Sequence, residues 1–294
     1  MRALSTLVSN GSFEGKRIRA HYESVRRRKT NPDADTLAFE NMMMAFHNQA
    51  SLIHLTKGMT HPYDVCRSAI INWYYSTYFT SSAMIAAASG SKQEAHTQTA
   101  RVWQADIVNA GFSISPFSLS LSSLVEDVVN SEISAYRQNN IHNLNVYPEN
   151  DDEAWGALIS YLKGTRDYEN LKAEDIVKDS REYKALGVNN FRKKAARELR
   201  DKQLAKRTVN YLTQAFRYRG KANYRDSIFL SYGDDNSEKM EIFVQDLEKV
   251  SRAFQRMAAY YISLRVEEGT WAEFIEDLEE NSRLSIDAQY LAAD

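Results

Sequence analysis

The stretch "THPYDVCRSAIINWYYSTYFTSSAMIAAASG", residues 60 to 90, constrains the fold more than any other part of the chain. Thr60 can cap a helix, Pro62 fits its first turn, Asp64 suits the positive end of the dipole, and Gly90 can end the run. Between these signals Ile70, Trp73, Tyr74, Thr77, Tyr78 and Met84 recur at helical spacings and make a wide stripe for packing. So long a helix with so wide an apolar surface is expected at the centre of a fold, with other helices around it.

The rest of the sequence offers such partners. A cap at Asp35 or Thr36 opens a second predicted helix through Met42, Met43, Phe46, Ala50 and Ile53 to Gly58. Residues 237 to 268 place Phe243, Leu247, Val250, Phe254, Met257, Tyr261 and Leu264 at three-four spacing. Helices are also expected over 94–109, 122–136, 152–163 and 173–185, with a long basic helix from Asn189 or Asn190 to about Arg217 and a last one from Trp271 to about Leu278. Residues 111 to 121 alternate apolar residues with serine, but Pro116 argues against a central strand, so they are expected as an ordered connection. Four prolines and eleven glycines are few for 294 residues, which fits long helices and short connections. The expected fold is mainly α. It divides into a basic, poorly ordered N-terminal arm over 1–34, an elaborated helical domain over 35–268 with an insertion around 146–188, and an acidic C-terminal helix over 269–294.

Several functions are disfavoured early. No apolar run approaches a membrane span, and "MRALSTLVSNGSFEGKR" is too weakly apolar for a secretory signal, so a cytoplasmic protein without membrane association is expected. Cys66 stands alone, which excludes a disulfide within the chain. There is no Walker loop, no strand-linked dinucleotide motif, no HExxH and no Glu-x-x-His pair, so no cofactor is expected. His47 and His54 lie about two helical turns apart but lack a fixed carboxylate partner, and no metal site is expected from them.

Charge is segregated beneath a net of -2. Residues 16 to 29 carry seven Lys/Arg against one acidic residue, and residues 181 to 225 carry fourteen against three. From Asp234 onward fifteen acidic residues face six basic ones. The basic middle can bind a polyanion or can be neutralised by the acidic tail. Within it, Arg192, Lys193, Arg197, Arg200, Arg217, Arg219, Lys221 and Arg225 stand with Tyr224 nearby. Cations that hold phosphates beside tyrosines that stack on unpaired bases suit single-stranded RNA or DNA. The alternative is a solvated helix face.

The motif "YRQNNIHN", residues 136 to 143, offers chemistry. Metal-independent RNA cleavage needs a group to take the 2′-hydroxyl proton and a cation for the charge gathering on the phosphate, tasks that suit His142 and Arg137. Asn139 and Asn140 lie between them as possible polar support. Five positions apart on a helix the pair would not share a face, so a helix end, a bend or a second protomer would have to join them. Alternatively, Arg137 caps the preceding helix and His142 lies in a turn.

Arg137 and His142 match the R-x4-6-H pattern of the HEPN superfamily, the all-helical domains of many bacterial toxins and antiviral ribonucleases. Residues 69 to 98 resemble the aromatic and alanine-rich HEPN helix followed by a loop and a histidine at the next helix start. "FRYRGKANYRDSIF", residues 216 to 229, resembles the Arg-x-x-Ala-Asp-Tyr segment of HEPN domains that accompany nucleotidyltransferases, with Asn223 where the family usually has Asp. The resemblance implies a helical bundle that dimerises and, in active members, cleaves RNA without metal at a cleft shared by two protomers. It implies His142 as general acid/base and Arg137 as phosphate stabiliser, and it suggests the effector of a toxin–antitoxin or antiphage system held by a regulatory partner. Silent members of the family imply the alternative, a helical subunit that dimerises and binds a partner protein or nucleic acid.

Overall fold

A computed structural model describes residues 1–57, 59–137, 147–224, 237–284 and 286. In chain order the helices are α1 (Arg2–Val8), α2 (Gly15–His21), α3 (Pro32–Lys57), α4 (Pro62–Ser89), α5 (His96–Trp103), α6 (Glu126–Arg137), α7 (Asp151–Asp179), α8 (Arg181–Ala185), α9 (Lys194–Leu204), α10 (Tyr211–Tyr224), α11 (Ser237–Arg265) and α12 (Thr270–Asn281). One wider π-helical turn, Gln104–Val108, extends α5. Among the described residues there is no β-strand, only an isolated antiparallel bridge between Leu121 and Val209. The fold is mainly α, as expected.

Helix α4 is the hub. It packs most extensively against α3 and α11, and its other sides meet α5 and α10. Trp73, Met84 and Ile85 fill the centre, while Ser76, Ser81, Ala83, Ala86 and Ala87 are buried and small enough to let the neighbouring helices approach closely. Some of the polar groups inside are tied together: the hydroxyls of Ser76 and Ser251 share a hydrogen bond of 2.8 Å, and Gln255 Nε2 donates to Ser76 Oγ at 2.9 Å. Opposite lie Val244, Leu247, Val250, Phe254, Met257 and Tyr261 of α11, all buried. Each large apolar side chain removed from water contributes about 1.5–3 kcal/mol before the entropy of ordering is charged against it.

At the ends of α4 the signals of Pro62 and Gly90 hold, whereas Thr60 does not cap the helix: its N-cap is His61, without a side-chain hydrogen bond. Pro62 occupies the first turn behind His61, and Gly90 adopts φ +74° while its N–H donates to Ala86 O at 2.8 Å. Two arginines cover the next two carbonyls, Arg28 Nε donating to Ala87 O at 3.1 Å and Arg265 Nη2 to Ala88 O at 3.0 Å. Cations at the negative end of a helix dipole stabilise it.

A second apolar cluster joins Leu7 of α1, Val129 and Ile133 of α6, Ile159 and Leu162 of α7, Leu121 and Val209. A smaller one gathers Val177, Tyr183 and Ala196.

Several local expectations are corrected. Neither Asp35 nor Thr36 caps α3, which begins at Pro32 and holds Asp35 inside its first turn, where it pairs with Arg28. The first thirty residues are not a poorly ordered arm, because Leu7, Ile18 and Tyr22 are buried and the Tyr22 hydroxyl donates to Phe112 O at 2.8 Å. Apolar anchors spaced among the basic residues hold the segment down despite its charge. The two short helices expected over 152–163 and 173–185 are instead the single α7 followed by the one-turn α8. Gly164 does not break α7, since the packing of Leu162, Thr165, Ala173 and Val177 outweighs a glycine penalty of about 1 kcal/mol. Finally, the long basic helix is divided into α9 and α10. Val209 and Leu121 exchange both backbone hydrogen bonds, at 2.7 and 3.1 Å, and the buried Asn210 starts α10 by accepting from Thr213 N–H at 3.1 Å. The Asn210 amide also donates to Ala100 O at 2.7 Å, so the cap is locked to α5.

Candidate functional site

Helix α6 places Arg137 at its last position. The preceding turn is secured by Ile133 in the second cluster and by the Tyr136 hydroxyl, which donates to Ser120 O at 2.8 Å. The Arg137 side chain, together with Asn139, Asn140 and His142, lies outside the described residues.

The expected basic track is split by the break before α10. Arg192, Lys193 and Arg197 are exposed around the start of α9, where Arg197 Nη1 donates to Arg192 O at 2.9 Å. Arg200 is drawn inward, its guanidinium bonded to Asp201 at 2.9 Å and lying 5.7 Å from the centre of the Phe191 ring. Arg217 and Arg219 are two residues apart on α10 and therefore face different neighbours. Arg217 turns towards α7, donating to Thr165 Oγ1 at 3.0 Å with its guanidinium 4.9 Å from the Tyr168 ring centre. Arg219 turns towards α4. Lys221 and Tyr224 belong to α10 by backbone, but their side chains, and the whole of Arg225, lie outside the described residues.

Around Arg219 the stretches 69–98 and 216–229 meet. Its Nη1 donates to the Tyr75 hydroxyl at 3.1 Å, and its guanidinium lies 4.8 Å from the Tyr74 ring centre and 5.1 Å from that of Phe216. His96, the first residue of α5, completes the group. Its Nδ1 shares a hydrogen bond of 2.8 Å with the Tyr74 hydroxyl, and its ring stacks on Phe216 and meets Tyr78 edge to face. His96, Tyr75, Phe79, Phe216 and Arg219 are all half-buried, so the cluster opens to solvent on one side.

The electrostatics follow from this packing. Burial and then the Arg219 charge both hold the His96 imidazole below its usual range, which keeps the ring neutral near pH 7. Burial likewise pushes the Tyr74 hydroxyl well up, so it stays protonated. If Nδ1–H donates to Tyr74, Nε2 is left to accept a proton; if the hydroxyl donates, Nε2 carries a proton to give. Among the described residues Nε2 has no partner, and Nε of Arg219 is buried without one. The site thus combines a fixed guanidinium, a neutral imidazole and half-exposed aromatic faces, which suits an anion attached to a planar ring.

The sequence alone does not single out His96 as a reactive residue. Its only signal is a histidine at a predicted helix start; its partner arginine lies on α10, distant in sequence and joined only by the fold. Among the described residues no group of His, Cys, Asp and Glu is arranged to hold a metal ion, and no helix is long and apolar enough to cross a membrane. No protein-family model, curated protein or solved structure matches the chain.

Proposed function

We propose that the chain is a HEPN-like protein that binds single-stranded RNA and cleaves it without metal. The observation that carries this reading is the meeting of His96 with Arg219 in one cluster, because it joins two of the three stretches that carry the HEPN resemblance beside a solvent-facing aromatic surface. In this reading Arg219 holds a phosphate, Tyr75 and Phe216 offer faces for a base, and Arg192, Lys193 and Arg197 extend the backbone contacts. Arg137 and His142 are the proposed cleaving pair, with His142 moving the proton and Arg137 stabilising the phosphate charge. A homodimer, a regulatory protein partner, cytoplasmic action and a role as a toxin or antiphage effector belong to the same proposal and rest on the resemblance.

A second reading is a silent subunit that uses the bundle to dimerise and to bind a partner protein or nucleic acid. It is favoured by the engagement of the arginines within the chain: Arg200 with Asp201, Arg217 with Thr165, Arg219 with Tyr75.

The deciding experiment is cleavage of end-labelled single-stranded RNA in EDTA by the full chain and by Arg137→Ala, His142→Ala, His96→Ala and Arg219→Ala. Loss of about 100-fold or more in the first two, with weaker binding in Arg219→Ala, supports the nuclease. Equal cleavage by all the variants removes these residues from the chemistry. RNA binding without cleavage supports the silent subunit.

A further inference from the structure

The two larger apolar clusters meet at α1, where Leu4 packs against both, and a space remains beside the junction. It is a cavity of about 520 Å³ bounded by α1, α4, α7, α10 and α11, a volume in the range of ordinary small-molecule sites. Leu4, Leu119, Leu158, Ala215, Met240 and Phe243 give it a mainly apolar wall. Leu4 and Phe243 are only half-buried, so part of this apolar surface still faces solvent.

The charged side chains on the wall are Arg2, Lys239 and Asp246. Lys239, Phe243 and Asp246 follow one another on α11 at spacings of four and three, which is one helix face. Asp246 is 3% exposed and accepts from Arg2 Nη1 at 3.0 Å, so its charge is already neutralised within the wall. Lys239 is exposed and has no ion-pair partner among the described residues. The Arg2 side chain is 42% exposed, and a guanidinium carries more N–H donors than the one that bonds Asp246. Gln214 is turned to its own helix, donating to Asn210 O at 3.4 Å. Two cations against one carboxylate leave these side chains with one positive charge in excess.

An apolar wall with one cation in excess describes an amphiphile. Apolar surface gains by leaving water roughly in proportion to its area, so the body that fits this space is hydrocarbon. A buried charge without a partner is costly, so an anionic head belongs beside Lys239 and Arg2, where it is paired and still hydrated. A cationic ligand would face both of them with only a neutralised carboxylate to hold it. A dianion would carry more charge than the wall can balance.

We infer that this cavity binds a single-chain monocarboxylate of the fatty-acid class, its alkyl body against Leu4, Leu158 and Phe243 and its carboxylate beside Lys239 and the outer N–H groups of Arg2. The inference is independent of any action on RNA.

The test is isothermal titration calorimetry of the full chain with decanoate, octanoate, 1-decanol and decyl phosphate, each below its micelle-forming concentration. Saturable binding of one decanoate per chain is expected, about 15-fold tighter than octanoate, since each buried methylene contributes about fourfold. Lys239→Glu, at an exposed position, is expected to weaken decanoate about fivefold or more and to leave 1-decanol unchanged. Ala157→Phe fills the space from α7 and abolishes binding of both. Absence of saturable decanoate binding to the unaltered chain overturns the site, as does undiminished binding by a folded Ala157→Phe. Equal effects of Lys239→Glu on decanoate and 1-decanol, or tighter binding of decyl phosphate than of decanoate, overturn the carboxylate head. Should circular dichroism show Ala157→Phe unfolded, the other comparisons decide alone, and equal affinity for octanoate and decanoate rejects the assignment.

Discussion

The hydroxyl of Tyr74 and Nδ1 of His96 share a 2.8 Å hydrogen bond that ties the middle of α4 to the first residue of α5. Burial and the Arg219 charge disfavour the imidazolium in the folded state, so the folded ring binds its proton less readily than the unfolded one. As pH falls through about 6.5 the unfolded chain takes up the proton first, and stability declines until pH passes below the folded value. The urea midpoint is therefore expected to drop between about pH 7.5 and about pH 5.5, and to drop less in His96→Gln. Equal slopes in the two proteins would show that His96 does not titrate with folding.

Asp35 and Arg28 form a buried ion pair, with side chains 7% and 11% exposed. Asp35 Oδ2 also accepts from Glu267 N–H at 3.2 Å, so one carboxylate joins the N-terminal segment to the turn after α11. Asp35→Ala strands the guanidinium, and a loss of about 3–5 kcal/mol in denaturant unfolding is expected. Arg27→Ala removes an exposed pair with Glu268 and is expected to cost less than about 1 kcal/mol.

Gly90 ends α4 at φ +74°, and a Cβ there would stand 3.3 Å from that of Ala34. Gly90→Ala combines left-handed strain with a close contact to α3. A loss of about 1–2 kcal/mol is expected, measurable as a lower urea midpoint with unchanged slope.

Arg192 and Lys193 are exposed at the start of α9, whereas Arg219 is fixed by Tyr75. Replacing the first two with alanine is expected to leave stability unchanged and to flatten the dependence of log affinity on log salt by about 0.7 for each phosphate of single-stranded RNA that the protein then leaves unneutralised. Arg219→Lys keeps the charge but loses the planar fork that bonds Tyr75 and lies against Tyr74 and Phe216, so weaker binding is expected. A salt dependence unaltered by the double substitution would remove the start of α9 from the interface.

The sequence disclosed those elements whose signals are local. Pro62 and Gly90 bracket α4, and the three-four stripe of α11 runs from Phe243 to Leu264, so both helices could be read directly. What it hid depends on partners far along the chain. Asn210 looks like an ordinary polar residue in a basic helix until its amide meets Ala100 and Val209 pairs with Leu121. Ile18 and Tyr22 look like minor apolar residues in a charged arm until the core closes over them. Gly164 looks like a break, although Thr165 beside it receives Arg217 from α10. The candidate site shows the same division: arginine and tyrosine enrichment was visible, but the gathering of His96 and Arg219 around Tyr74 and Phe216 arises only when α5 and α10 meet on α4. Arg137 belongs to a pattern whose second half, His142, lies outside the described residues.

Helix α10 presents Tyr211 and Tyr218 to an apolar space bounded by α1, α4, α7 and α11, and Phe216 and Arg219 to the solvent-facing cluster. The two surfaces therefore share one inherited wall. A substitution on one face of α10 is expected to shift the side chains on the other, and a screen for loss of the proposed RNA binding is expected to return residues of the Tyr211 face as well. Second-site suppressors should then concentrate on α4 and α7, the helices against which α10 is seated.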